Sequence, residues 1–169
     1  MVFFHSPLPT EAEEYRQAMV NWTTTQVQPQ TDYTLDAKGN RVYRNEKIAP
    51  LVIPLMRAMG FAVCKTNYPA VLPCHVTCIE LTCLKGWGFT VWRFSAHTMV
   101  DPAFSTDIYF IPLNVLGGQP AIVQNGRRHI AVPSWYTVTL GSFETTPEFD
   151  CLLTGNIMSG QDAHMFNCT

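Results

Sequence analysis

The chain has 169 residues, of which 47% are hydrophobic and only 14% charged, with a formal net charge of −2 and a pI near 6.2. That length suits one domain with a core large enough to fold without disulfides or metal. Near-neutral charge gives no reason to bind nucleic acid or an anionic membrane as a main activity, and no run of about 20 apolar residues could span a bilayer.

Charge is thinnest in the last two thirds, where residues 51–169 hold 13 charged groups against 11 in residues 1–50. A folded monomer of this mass exposes about 8,400 Å², or one charge per about 350 Å². So sparse a surface leads us to expect that partner subunits, as a homo- or hetero-oligomer, cover part of it.

The opening "MVFFHSPLP" has no basic n-region and too short an apolar run for a secretory signal. A cytoplasmic or virion location is expected, with Cys64, Cys74, Cys78, Cys83, Cys151 and Cys168 as reduced thiols. In "PTEAEEYRQAMVNWTTT", Ala12, Tyr15, Ala18, Met19 and Trp22 recur at helical spacing, and Thr10 with Glu13 reads as a capping box; a helix is predicted from Glu11 to about Thr24. "TDYTLDAKGNRVYR" reads as two short strands around Ala37-Lys38-Gly39-Asn40. Pro50 and Pro54 interrupt "IAPLVIPLMRAMG", so only Pro54 to Met59 is predicted helical.

From Phe61 the pattern turns to β. Strands are predicted at 61–66, 75–84, 87–98, 107–112, 121–124, 127–132, 135–143 and 149–157, rich in Val, Ile, Thr and aromatics and divided by Gly and Pro. Asn125-Gly126 is the strongest hairpin signal, because both central positions of a type I′ turn require positive φ; Lys85-Gly86 is a second. The expected fold is mainly β, an antiparallel β-sandwich or jelly roll of about eight strands, preceded by an N-terminal helix and a short hairpin and helix. Residues 1–60 read as a helical arm or cover on a β domain spanning 61–169.

The segment "LPCHVTCIELTCLKGWGFTVWRF" looks most like chemistry. Zinc knuckles place two cysteines a few residues apart in a turn. Along a strand, however, Cys74 and Cys78 lie about 13 Å apart and Cys83 faces the other way. Metal binding by Cys74, His75, Cys78 and Cys83 therefore stays a weak alternative, and Glu80 is expected to pair with Arg93 on the next strand.

His75, His97 and His129 all fall on predicted strands, as in metal enzymes built on a double-stranded β-helix, but no His-x-His or His-x-Asp pair accompanies them. There is no Gly-x-Ser-x-Gly elbow and no phosphate loop, and Asp162, His164 and Cys168 crowd one tail instead of coming from distant segments.

Aromatic residues are the remaining signal. Alternation puts Trp92 and Phe94 on one strand face and Phe89, Val91 and Arg93 on the other, so both faces must be covered. Trp87, Trp92, Phe94, Trp135 and Tyr136 are the candidates for an interface or a ligand. With no complete catalytic set and no cofactor expected, composition suggests a non-enzymatic structural subunit of a larger assembly. A virus or phage particle is the first candidate, by the analogy that jelly rolls are frequent in capsids. The alternatives are a small-ligand or carbohydrate-binding β module near Trp87, Trp92 or Trp135, and then a metal-dependent β-barrel enzyme using some of His75, His97, His129 and Cys74.

Overall fold

A computed structural model describes residues 4–61, 87–102, 107–156 and 166–168. The first strand, β1 (Phe4–Pro7), leads into helix α1 (Thr10–Asn21), which runs on as a π-helical turn at Trp22–Gln26. The hairpin β2 (Tyr33–Leu35) and β3 (Arg41–Tyr43) follows, then helix α2 (Asn45–Ala58). The β region holds β4 (Trp87–Phe94), β5 (Thr98–Pro102), β6 (Asp107–Val115), β7 (Ala121–Gln124), β8 (Arg127–Ile130), β9 (Trp135–Leu140), β10 (Phe143–Thr145), β11 (Phe149–Asn156) and β12 (Phe166–Cys168).

Among the described residues these form two antiparallel sheets, one of seven strands in the order β1-β9-β6-β11-β4-β3-β2 and one of five in the order β12-β5-β10-β7-β8. Counting β4 to β11 as eight successive strands, the large sheet contains numbers 6-3-8-1 and the small sheet 2-7-4-5, which is the winding of a jelly roll.

Alternation along the strands makes two cores. Trp92, Phe94, Phe110, Phe143, Phe149, Cys151 and Leu153 meet between the sheets. Their neighbours Val91, Ile111, Leu113 and Leu152 face the other way and pack under Ala12 and Met19 of α1 and Val52, Leu55 and Met56 of α2. This explains the strand that is apolar on both faces: β4 has the small sheet on one side and helices on the other.

Several sequence expectations are corrected. Helix α2 contains both Pro50 and Pro54 instead of starting at the second. Each interior proline costs about 3 kcal/mol. Burial of Ile48, Ala49, Val52, Leu55 and Met56 on one face, at about 1.5–3 kcal/mol for each of the larger side chains, outweighs that. The capping box is absent: α1 starts at Thr10 behind Pro9, and Glu13 turns to Arg16, bonding its Nη2 at 2.6 Å and Nε at 2.9 Å. Arg16 is buried, and its Nη1 donates to the Leu113 carbonyl, so a carboxylate there does more than a cap would.

The predicted strand 135–143 is two strands in different sheets, broken at Gly141, whose φ of +81° lets the chain cross over. The predicted strand 87–98 likewise ends at Phe94. There the buried side-chain Oδ1 of Asn40 accepts from the N–H of Ser95 at 2.8 Å and Ala96 at 3.2 Å, clamping the crossing to β5. Arg93 pairs with Asp150. The strands expected at 61–66 and 75–84, the Lys85-Gly86 turn, and Cys64, Cys74, His75, Cys78, Glu80 and Cys83 lie outside the described residues.

Asn125 and Gly126 both take positive φ, +51° and +74°, between β7 and β8, as the hairpin signal required. Pro112 sits inside a central strand, which prolines normally avoid, at the bulge where the β6–β11 register slips beside Cys151.

Candidate functional site

The predicted aromatic residues separate into two groups. Trp92 and Phe94 are 7% and 0% exposed, stacked on each other at 5.7 Å inside the sandwich, and present no surface to a ligand. Trp87 starts β4 at the far end of the β4–β11 ladder, opposite Asn156. Trp135 and Tyr136, in contrast, are half-buried on β9 next to the edge of the large sheet, where β1 pairs with them in register.

Pairing of Thr137 with His5 and of Tyr136 with Ser6 decides which way each ring points. Thr137 and Thr139 are buried toward the small sheet, and Thr139 donates to Gln124 Oε1 of β7 at 3.1 Å. His5 and Trp135 share that face, and Phe4 and Tyr136 take the other. On the inner side the exposed His5 ring lies flat on Trp135, with centroids 4.6 Å apart and planes 16° apart, and its Nδ1 is 3.0 Å from Thr137 Oγ1. On the outer side Phe4, Tyr136, Tyr109 and Phe61 form a chain of ring contacts at 6.0, 5.8 and 4.9 Å. One sheet edge thus carries rings on both faces, and Phe4 is 53% exposed.

His129 comes to this edge from the other sheet. It pairs with the core residue Ile122 and so points into the seam between β8 and β9. Partial burial lowers the His5 pKa from its ordinary value, and the nearby His129 lowers it further. Tyr109 is raised, by burial first and then by Asp107 and Tyr136. Nothing local in the sequence marks His5, Phe4 or Tyr109 for this site: the contacts form across the chain, as the His5 to Thr137 separation of 132 shows.

Of the expected histidines, His97 and His129 do not converge. His97 is exposed beside β5, with Nδ1 3.5 Å from Glu144 Oε1, while His129 lies on β8 at the far edge of the same sheet. Among the described residues no group of three or more His, Cys, Asp or Glu could hold a metal. Asp162 and His164 lie outside the described residues. Asp150, fully buried, is held by Arg93 through two 2.7 Å bonds and by the Tyr43 hydroxyl at 3.2 Å, which makes it a structural carboxylate. No helix among the described residues is long and apolar enough to cross a membrane.

No family model matches the chain, and no curated protein does. Among solved structures, the crystal structure of a prolyl-4-hydroxylase from Pseudomonas putida aligns over 94% of this chain and 93% of that one, with 12% identity and a TM-score of 0.44. The expected virus or phage structural subunit is corrected: nothing in the comparisons ties the chain to a capsid, a decoration protein or a virion location. So low a score transfers neither fold nor activity, and the function has to be argued from this chain's own residues.

Proposed function

We propose that this protein is a carbohydrate-binding jelly roll that holds a sugar ring against the His5–Trp135 stack at the β1–β9 edge. The observation that carries the reading is the stack itself: two rings held parallel at 4.6 Å, on strand positions fixed by backbone pairing, with the outer ring exposed. Flat, solvent-facing rings suit a ligand with one apolar face and many hydroxyls, because such a ligand loses little by leaving its polar side in water. A sugar ring has that character, its C–H face resting on the aromatic surface. Rigid strands hold the rings in place before binding, so little side-chain entropy is lost when the ligand arrives.

The imidazole, positioned by the buried Thr137 hydroxyl 3.0 Å from its Nδ1, supplies a hydrogen-bonding group beside the stack, as polar groups do around an apolar platform. The test is titration of the full chain with a panel of oligosaccharides, followed by tryptophan fluorescence. The expected result is saturable binding that Trp135→Ala weakens by about tenfold or more with the circular dichroism spectrum unchanged. Binding undiminished in Trp135→Ala, or no binding across the panel, overturns the reading.

A further inference from the structure

The strands that border the seam carry a charge pattern that narrows the ligand. On β8, Gln124 of β7 and the core residue Ile122 pair with Arg127 and His129, so both of these residues point to the inner face. Strand rise puts them about 6.6 Å apart along the edge. Across the seam, Gln124 touches Thr139 and His129 lies near His5, which sets the order along the edge: Trp135 by the turn, then His5 with His129, then Arg127 toward the hairpin tip. The strands β1, β8 and β9 contain no Asp or Glu. Glu13, which reaches Ser134 in the turn between β8 and β9, is already committed to Arg16. Arg128 points to the opposite face and donates to the Gln119 carbonyl.

We infer that the ligand of this seam is an acidic oligosaccharide, a chain of uronic acids, with one ring on the His5–Trp135 stack and its carboxylates along His5, His129 and Arg127. The inference rests on the carbohydrate reading above and specifies its charge. A row of one arginine and two imidazoles, on strands that carry no acid, offers an anion charge-assisted hydrogen bonds that a neutral sugar cannot use. Carboxylates repeating along a polymer match groups repeating along a strand edge. A bound carboxylate also favours protonated imidazole, so binding and proton uptake by His5 are linked.

The experiment compares hexagalacturonate with a neutral galactose hexamer on the full chain by calorimetry. The acidic sugar is expected to bind about tenfold more tightly at about 50 mM salt, and to lose most of that advantage at about 500 mM. Its affinity is expected to rise as pH falls from about 7.5 to about 5.5. Arg127→Gln and His129→Gln each weaken the acidic sugar several-fold and leave the neutral one unchanged; Arg127 is exposed, so its variant keeps the fold. Equal affinity for the two sugars overturns the acidic ligand while the carbohydrate reading stands. Failure of both to bind overturns both.

Discussion

Arg93 and Asp150 face each other in the β4–β11 register, and the guanidinium grips the carboxylate through Nε and Nη2, both at 2.7 Å, while its Nη2 also reaches the Thr23 carbonyl at 3.3 Å. The pair joins the centre of the large sheet to the π-helical turn after α1. Asp150 is fully buried, so removing one partner strands a charge. Asp150→Ala is expected to lower stability by about 3–5 kcal/mol. The apolar pair Arg93→Met with Asp150→Leu is expected to recover most of that loss, as read from urea midpoints. A double variant as unstable as the single one would show that the pair does more than neutralise itself.

Glu13 gives a pH signature. Its bonds to Arg16 are the main reason that its pKa falls to about 2 from the ordinary 4.5. A depressed carboxylate stabilises the fold fully above the unfolded value and loses that contribution as pH falls from about 4.5 toward 2. The carboxylate is 33% exposed, so after screening the effect is about 1 kcal/mol. Glu13→Gln should lower stability at neutral pH and flatten the acid limb of a stability–pH curve over that window.

Gly126 isolates the cost of a backbone conformation. Its φ is +74°, and a Cβ added there would meet nothing within 4 Å. Gly126→Ala is therefore expected to cost about 1 kcal/mol without any clash. Thermal unfolding measures this, and a loss several times larger would mean that the β7–β8 hairpin had changed its register.

His5 is a proton-linked group. With its pKa lowered by burial and by His129, the folded chain takes up this proton later than the unfolded one. The contribution to stability is absent well above pH 6.5, and stability falls as pH drops below that value into the lowered range. Proton NMR should show the His5 ring titrating below the ordinary histidine value, and His129→Gln should move it upward. A saturating acidic ligand should raise it as well.

The elements that could be read from sequence were those whose cause is local. Helix α1, the β2–β3 hairpin and the Asn125-Gly126 turn follow from spacing and from the φ that two residues adopt. The two-faced burial of β4 was legible because period-2 alternation of Phe89, Val91, Trp92 and Phe94 requires cover on both sides. What stayed hidden depends on pairing over distance. Asp150, which the sheet brings to Arg93 from 57 residues away, carries no local mark of that pairing. Helix α2 was shortened by its prolines, whose cost is local, whereas the burial that outweighs it exists only once the large sheet is in place. Trp135 and Tyr136 were noticed as aromatic, yet nothing in "MVFFHSPLP" could say that His5 would stack there.

The attachment of β1 at the outer edge of β9 also bears on the order of assembly. The strand is synthesised well before β9, its hydrogen-bonding template, which is made more than 120 residues later and in turn needs β6 beside it. Loop closure over that span is among the most expensive contacts the chain makes, and such contacts slow folding. During synthesis Phe4 and His5 must wait without a partner while α1 and the β2–β3 hairpin take shape. The edge that holds the ring stack is thus completed late, and interrupted-refolding hydrogen exchange should find its amides protected after those of β11.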